Sequence, residues 1–206
     1  MPDETGGPYP GDGSNGVDVL DDSGIVRRDI RSSFGSDSTT AEGVALTVRL
    51  TVRDASSGDA KKGAAVYLWH CDRDGNYSLY ADDLQDVNYL RGVQQADSDG
   101  TVTFTTIYPA AYAGRWPHIH FEVYSSVKNA TSDGPIVKTS QIALPKEACT
   151  AVYATSGYEQ SVQNLSQTSL STDNVFSDGS ALELATITGS VAGGLTAALT
   201  VAVSGA

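Results

Sequence analysis

His118 and His120 are the residues whose types and spacing are best suited to chemistry, because one isoleucine separates them in a stretch with the composition of a β-strand. Side chains two residues apart in a strand point to the same side of a sheet, so the two imidazoles are expected side by side while Ile119 faces a core. Imidazole is a common ligand for iron, copper, zinc and nickel. An H-x-H pair alone is a weak signal, since most such pairs are structural, and further ligands are needed to predict a metal site.

Tyrosines are better candidate partners for these histidines than the nearby aspartates are. The acidic run that begins at Asp72 does not have the register of an EF-hand calcium loop, because the sixth position, which requires glycine, holds Tyr77. Tyr77 and Tyr112 lie in loops beside predicted strands. A phenol ionises near pH ~10, a bound cation lowers that pKa, and the resulting phenolate is a hard donor suited to Fe(III). The alternative is that both tyrosines only pack loops onto the sheet.

Short strands are the elements that must position these side chains. Residues 45–53 alternate apolar Leu and Val with Thr and Arg, which predicts a strand with one buried face. Further strands are predicted over 64–72, 101–109, 118–127, 136–145, 181–191 and 195–205, and a short helix within 158–170. Residues 78–100 are expected to be a loop, and no helical period occurs before Pro145. Many short strands with Gly and Asp turns predict a mainly β protein, an antiparallel β-sandwich with long loops.

The composition divides the chain into two parts. Residues 1–40 are rich in Gly, Pro, Asp and Ser, which predicts a non-regular N-terminal arm. Residues 41–206 are expected to form one β-sandwich catalytic domain, without an internal repeat. The formal net charge of −12 makes nucleic acid and anionic membrane surfaces poor partners.

Cysteine usage and composition bear on the compartment. The two cysteines, Cys71 and Cys149, are able either to pair as a disulfide or to remain buried free thiols, and neither alternative is excluded. Abundant Gly, Ser, Thr and Asp with scarce Lys favour an exported protein. The residues after Met1 have neither the basic start nor the apolar centre of a signal peptide. We therefore expect a secreted protein whose signal peptide is absent from this sequence.

Two long segments carry a family resemblance, VYLWHCDRDGNYSLY and YLRGVQQADSDGTVTFTTIYPAAYAGRWPHIHFEV. They resemble the intradiol ring-cleavage dioxygenases, most of all the extracellular branch, and the resemblance runs from GPYPGDGSNG to the region of Gln141. In that family two tyrosines and the two histidines of H-x-H bind a non-haem ferric ion. These positions fall on Tyr77, Tyr112, His118 and His120 of this chain.

The resemblance also implies an activity and further site residues. The family opens the ring of a catechol with O₂ and forms cis,cis-muconate-type products. Tyr112 is implied to leave the iron and take a substrate proton, Arg115 to bind the substrate and stabilise negative charge on its ring, and Gln141 to hydrogen-bond in the pocket. Pro8 and Tyr9 match the family's G-P-Y segment, which is implied to line the mouth of the pocket and bind substrate.

Two other functions remain open from the residues. One is a non-catalytic β-sandwich binding module, and the other is a zinc or copper protein that uses the H-x-H pair together with His70. The resemblance implies a small-molecule catechol and O₂ as partners, with the preferred catechol undetermined. The arm lacks the helical segment through which catechol 1,2-dioxygenases dimerise, so that dimer is not expected, and the oligomeric state stays open.

Overall fold

Two four-stranded β-sheets pack face to face in a computed structural model that describes residues 1–204. The strands are β1 (Ala45–Asp54), β2 (Ala65–Trp69), β3 (Arg91–Gln95), β4 (Thr101–Ile107), β5 (His118–Tyr124), β6 (Ile136–Ala143), β7 (Thr186–Ser190) and β8 (Gly194–Val203). One sheet has the order β4-β1-β8-β7 and the other has the order β3-β2-β5-β6. The predicted mainly β sandwich is confirmed. Gly205 and Ala206, with which the predicted last strand and domain end, lie outside the described residues.

Antiparallel pairing dominates both sheets, with one exception that the sequence pattern did not reveal. β1 pairs with β8 in parallel, from Leu46 opposite Leu195 to Asp54 opposite Val203. β8 is joined to β7 by a tight antiparallel hairpin, and the pair docks against β1 after a long excursion of the chain. Strand alternation predicts which face is buried but does not specify the direction of a distant partner.

Alternation along β5 decides where the histidines lie. Ile119, Phe121 and Val123 point into the apolar core between the two sheets. His118 and His120 therefore lie on the other face of the same sheet, as the period of two predicts. Both imidazoles are only 2% exposed, so another part of the chain must cover this outer face.

The N-terminal arm supplies part of that cover. Val19, Leu20 and Ile25 pack with Tyr67 and Trp69 of β2 in a second apolar cluster on the outer face. The arm also bridges the two sheets along one side of the sandwich, since residue 26 pairs with residue 93 of β3 and residue 29 pairs with residue 105 of β4. The division into an arm of residues 1–40 and a domain of residues 41–206 stays a prediction.

β3 corrects the expectation that residues 78–100 are a loop. Its sequence, RGVQQ, contains one large apolar residue, Val93, and therefore shows no period of two. Arg91 and Gly92 are buried because the arm lies against them, and a Cβ at Gly92 would be 2.5 Å from Cγ2 of Ile30. The strand is stabilised by a partner far away in sequence rather than by its own pattern.

The helices are short and lie mostly near the C-terminal half. They are α1 (Val127–Ala130), α2 (Lys146–Tyr153) and α3 (Glu159–Ser166), with single 3-10 turns at Asp82–Leu84 and Phe176–Asp178. α3 confirms the helix predicted within 158–170. α1 was missed because one helical turn is too short to show a period. No helix among residues 1–204 is long and apolar enough to cross a membrane.

The two cysteines are unpaired thiols in separate apolar clusters. Cys71 lies in the outer cluster, 3.7 Å from the carbonyl oxygen of Ala110. Cys149 lies on α2 in the core between the sheets, 3.2 Å from the hydroxyl of Tyr108. The Cys71–Cys149 disulfide considered from the sequence is therefore not formed in this structure, and the alternative of two buried free thiols describes it.

Candidate active site and metal centre

Three candidate ligand atoms converge on the outer face of β5. Nε2 of His118 lies 3.0 Å from Nε2 of His120 and 3.2 Å from the hydroxyl oxygen of Tyr112. β5 sets the two imidazoles side by side, and the loop before β5 brings Tyr112 to them. A tight turn at Gly75 makes this approach possible, because a Cβ there would lie 3.1 Å from Cβ of Tyr112.

Neighbouring groups fix the orientation of both imidazoles. Nδ1 of His118 faces the carbonyl oxygen of Trp116 at 2.5 Å, and since a carbonyl only accepts, Nδ1 carries the proton and Nε2 offers a lone pair. The ring of His120 stacks on Trp69 of the adjacent strand, with centroids 5.0 Å apart and planes 6° apart. Such support from outside the ligand set is typical of metal-binding histidines.

Tyr77 provides the observation that most needs a ligand to explain it. Its side chain is buried, and its hydroxyl has no hydrogen-bond partner among the described residues. The ring lies edge-on to Tyr112 and His120, at centroid distances of 5.9 and 6.1 Å. A buried hydroxyl without a partner costs on the order of 1–3 kcal/mol. A cation bound between these side chains would remove that cost.

Burial keeps all four of these groups uncharged in the protein alone. It raises the pKa of Tyr77 well above its ordinary value and the pKa of Tyr112 to about 12. Burial, with the nearby Arg115 as the next cause, lowers the pKa of His118 to about 3, and burial also lowers the pKa of His120 well below its ordinary value. Neutral imidazoles are ready to bind a metal, and a bound cation would favour the ionised phenols.

The donor set fits a hard trivalent cation better than it fits zinc. Among residues 1–204, no group of three or more His, Cys, Asp and Glu side chains is arranged to hold a metal, so a site here must include the tyrosines. His70 is not available as a third histidine, because its Nδ1 lies 2.7 Å from the carbonyl oxygen of Cys71 and its Nε2 lies 2.7 Å from Oγ1 of Thr106. Two phenolates and two imidazoles together suit Fe(III).

Arg115 and Gln141 lie together beside the two histidines. Arg115 donates from Nη2 to Oε1 of Gln141 at 2.7 Å, and its Nη1 lies 3.4 Å from Nε2 of His118. Gln141 is placed there by β6, where it pairs with His120 of β5. The structure therefore brings both sequence-predicted pocket residues next to the candidate ligands.

The arm passes over this site between residues 5 and 9. The carbonyl oxygen of Thr5 accepts a hydrogen bond from Nε2 of Gln141 at 2.8 Å, and Gly7 packs against the ring of His120. Tyr9 is 40% exposed, with its ring 5.0 Å from that of Tyr77, and its place at the mouth of a pocket stays a prediction. Pro8 is exposed, and its carbonyl oxygen accepts from Nδ2 of Asn15, so the contacts connect Tyr9 more directly than Pro8 with the candidate ligands.

Arg91 ties the arm to the loop that carries Tyr77. This arginine is 1% exposed, and it donates to the carbonyl oxygens of Tyr9, Pro10 and Ser78 at 3.0, 2.7 and 2.9 Å. It also donates to the hydroxyl groups of Ser78 and Tyr67, each at 3.0 Å. No carboxylate contributes to this set, so the side chain acts as a clamp on backbone oxygens.

Sequence reasoning missed three residues at this site: Trp69, Arg91 and Asp173. Trp69 and Arg91 lie on strands whose outward face becomes a second interior only because the arm covers it. Asp173 lies in a segment with weak patterning and forms an ion pair with Arg115, Nε to Oδ2 at 2.9 Å. The backbone N–H groups of residues 175 and 176 both donate to its Oδ1, and an Asp two to three residues before a helical turn is a recognisable capping signal.

Comparison with known proteins relates this architecture to one family. A protein-family model described as Dioxygenase matches residues 27–119. An intradiol ring-cleavage dioxygenase from Tetranychus urticae has a TM-score of 0.78 and 26% sequence identity, over 99% of this chain and 94% of that one. The chain resembles the intradiol ring-cleavage dioxygenases in its fold and in part of its sequence. The resemblance seen in the sequence motifs is confirmed, and the extracellular branch stays a prediction.

Two further dioxygenases define how far the similarity extends. The dioxygenase domain of a dioxygenase–carbohydrate-binding protein fusion from Streptomyces sp. SirexAA-E has a TM-score of 0.64 at 22% identity, over 100% of this chain and 98% of that one, and so shares the fold. A chlorocatechol 1,2-dioxygenase of Rhodococcus opacus is 40% identical over 62 residues, which are 30% of this chain and 24% of that enzyme. The chain thus matches about a quarter of that curated relative.

Proposed function

We propose that the protein is a non-haem Fe(III) dioxygenase that opens catechol rings with O₂ and releases cis,cis-muconate-type products. The single observation that carries the proposal is the convergence of Tyr112 and His120 on Nε2 of His118, at 3.2 and 3.0 Å, beside the buried hydroxyl of Tyr77, which has no hydrogen-bond partner among the described residues. The relationship to intradiol dioxygenases supports this chemistry.

Tyr77, Tyr112, His118 and His120 would hold the iron. Ferric iron, when bound, would favour ionisation of a catechol and activate its ring toward O₂. Two phenolates and two neutral imidazoles would leave it with a net charge near +1, which stabilises the ferric state over the ferrous state. The four side chains supply this donor set without a carboxylate.

The two tyrosines differ in burial, and we assign them different roles for this reason. Tyr77 is buried, so it has no room to leave the cluster. Tyr112 is half-buried, in the loop before β5, and is therefore the tyrosine with more room to move. Tyr112 would therefore accept a proton from the substrate, while Tyr77 would remain a fixed ligand.

Arg115 and Gln141 would act on the substrate. The guanidinium of Arg115 lies against His118 and donates to Gln141, so both polar groups adjoin the space in front of the imidazoles. A fixed cation at this position would stabilise negative charge that develops on the ring. Tyr9 would form part of the mouth through its contact with Tyr77.

The alternatives are less consistent with the side chains. A zinc or copper site that includes His70 would require its two ring nitrogens to give up the partners they have. A non-catalytic binding module does not explain why the buried hydroxyl of Tyr77 has no hydrogen-bond partner among the described residues. A carbohydrate- or surface-binding role would also leave the Arg115–Gln141 pair without a purpose.

Colour, metal content and oxygen uptake test the proposal together. The purified chain should contain close to one iron per molecule, absorb in the visible through tyrosinate-to-iron charge transfer, and take up O₂ with at least one member of a panel of catechols. Tyr112→Phe and Tyr77→Phe should each shift or abolish the absorption and lower kcat/KM by roughly 100-fold or more. Tyr108→Phe is the matched control, because Tyr108 is buried against Cys149 away from the site.

Two results would count against this assignment. Iron-free protein that does not acquire a visible band when ferric iron is supplied would rule out the metal centre. A band that is unchanged in both tyrosine variants would rule out the ligand set even if iron is present.

We also propose that the protein acts outside the cell. The support is compositional, namely a net charge of −12 with many Gly, Ser, Thr and Asp residues. Immunodetection in the culture medium of the producing organism checks this, and detection only in the cytosol would contradict it.

A further inference from the structure

We propose that Asp173 is a positioning residue for ring cleavage, which acts by holding Arg115 in one orientation and balancing its charge. This inference rests on the proposed function. Asp173 lies in the segment between α3 and β7, far in sequence from the residues of the H-x-H strand. Its role follows from its contacts.

The carboxylate of Asp173 is fully enclosed, at 0% exposure, and both of its oxygens are used. Oδ2 accepts from Nε of Arg115 at 2.9 Å and from the backbone N–H of Trp116 at 2.7 Å. Oδ1 accepts from the backbone N–H groups of Val175 and Phe176 at 2.9 and 3.2 Å, and it lies 3.4 Å from Nη2 of Arg115. The carboxylate is therefore fixed by three backbone donors before it contacts the arginine side chain.

This fixed carboxylate determines where the guanidinium points. With Nε held by Asp173, Nη2 is directed at Gln141 and Nη1 at His118. The ring of Phe176 lies under the guanidinium, 5.9 Å from Cζ. An arginine without these restraints would sample many rotamers, and most would point the cation away from the substrate. Asp173 therefore selects the orientation in which Arg115 is useful.

Asp173 also solves an electrostatic problem that the site creates. Nη1 of Arg115 lies only 3.4 Å from the nitrogen of His118 that we assign to ferric iron. A guanidinium beside a ligand nitrogen lies close to the cation that this nitrogen would bind, and like charges repel each other strongly where water is largely excluded. A buried carboxylate on the other side of the guanidinium offsets that repulsion, so Asp173 makes it possible for an arginine to lie beside a metal cation.

A double-mutant cycle separates this role from a purely structural one. Asp173→Asn should lower kcat by roughly 10- to 100-fold with a smaller change in KM, because the ring-cleavage step depends on the orientation of the Arg115 guanidinium. In an Arg115→Met background the same change should alter kcat by less than about threefold, since Asp173 would have nothing left to position. Activities are compared per folded molecule, with the folded fraction taken from urea unfolding.

A matched control is Glu183→Gln. Glu183 is a carboxylate with 0% exposure and no arginine partner, so its substitution should leave kcat unchanged. Equal losses of kcat for Asp173→Asn in the parent protein and in the Arg115→Met background would overturn the proposal, because they would show an effect that does not pass through Arg115. Unchanged kcat in Asp173→Asn, with an active parent protein, would also overturn it.

A readout independent of activity tests the geometry. In the full chain without added metal, the Nε–H of Arg115 should exchange slowly with solvent by NMR, with the signal assigned by its loss in Arg115→Met. The same signal should exchange faster in Asp173→Asn, and equal exchange rates would overturn the positioning role. A protected Nε–H in a protein that cleaves no catechol would confirm the contact between Arg115 and Asp173 but contradict the proposed function, and with it a catalytic role for this ion pair.

Discussion

Gly7 shows how little space separates the arm from the candidate ligands. A Cβ at this position would lie 3.2 Å from Cε1 of His120, and the residue has a φ of +73°, which side chains other than glycine rarely adopt. Gly16 shares the left-handed backbone, with a φ of +94°, but a Cβ there would meet no atom within 4 Å. A comparison of substitutions at Gly7 and Gly16 therefore distinguishes the effect of backbone strain from the effect of contact with the imidazole.

Gly7→Ala and Gly16→Ala are therefore expected to behave differently. Each should lower the free energy of unfolding by about 1 kcal/mol through backbone strain. Under the proposed function, only Gly7→Ala should also shift the visible absorption of the iron-loaded protein and raise KM, because the added methyl pushes on His120. Urea unfolding and visible titration with ferric iron measure these two effects. The same spectral change in both variants would contradict the direct contact.

Arg91 combines full burial with the absence of a carboxylate partner. Replacing it leaves the carbonyl oxygens of Tyr9 and Ser78 without this donor, while that of Pro10 keeps the hydroxyl of Tyr67, although the lost charge itself was costly to bury. Arg91→Met should therefore destabilise the protein by roughly 2–4 kcal/mol and free the arm for protease cleavage near residue 10.

Limited proteolysis with mass spectrometry, alongside urea unfolding, checks the prediction for Arg91. Arg49→Met is the matched control, because Arg49 is exposed on β1 and should tolerate the change. Protection of the arm that equals that of the parent protein would show that Arg91 does not hold it.

Individual residues were predictable from sequence to the extent that their signal was local. His118, His120 and Ile119 divide between two faces because the period of a strand requires it. The clamp formed by Arg91 and the pairing of Asp173 with Arg115 were not predictable, since the partners lie far along the chain and a lone charged residue normally indicates a solvated surface.

Whole elements followed the same rule. β1 alternates apolar and polar residues over its length, and the strand predicted over 45–53 agrees with the observed Ala45–Asp54. β3 has no such alternation, because its outer surface is covered by the arm rather than by water. The parallel pairing of β1 with β8 could not be predicted either, since the spacing of hydrophobic residues carries no information on strand direction.

The contact between β3 and the arm gives a prediction for these elements. Gly92→Ala would place a methyl 2.5 Å from Cγ2 of Ile30, so the arm must move, at a cost of about 1–3 kcal/mol in unfolding free energy. Ile30→Ala alone should cost about 2–4 kcal/mol by leaving a cavity, because Ile30 is 0% exposed. The double variant should be less destabilised than the sum, since the new methyl enters the vacated space.

Urea unfolding of the four proteins in this cycle measures the coupling between residues 30 and 92. Strict additivity would mean that β3 and the arm do not contact each other as described.

At the scale of the whole molecule, acidity and burial together set the dependence of stability on pH. Glu183 is 0% exposed, and one of its carboxylate oxygens has no partner among the described residues. Burial, followed by the nearby Glu4, raises the pKa of Glu183 to about 7. Because the folded state keeps the proton that the unfolded chain releases near pH 4.5, Glu183 favours folding at low pH.

The contribution of Glu183 to stability should therefore fall as the pH rises from about 4.5 to about 7, and remain lower above it. Glu183→Gln should remove this loss and raise the unfolding free energy at pH 8 relative to the parent protein, by up to about 3 kcal/mol. Urea unfolding at a series of pH values checks this, with the exposed Glu147→Gln as control. A parallel pH profile for parent and Glu183→Gln would contradict it.

Because the histidines lie on the outer face of β5, the residues that stabilise the fold are different from those that surround the site. The apolar layer between the sheets holds the fold, while the wall and mouth around the imidazoles come from the arm and the connecting loops. Exchanging those surface segments should change which small molecules reach the imidazoles without repacking the sandwich. The scaffold is thus a suitable starting point for redesigned selectivity.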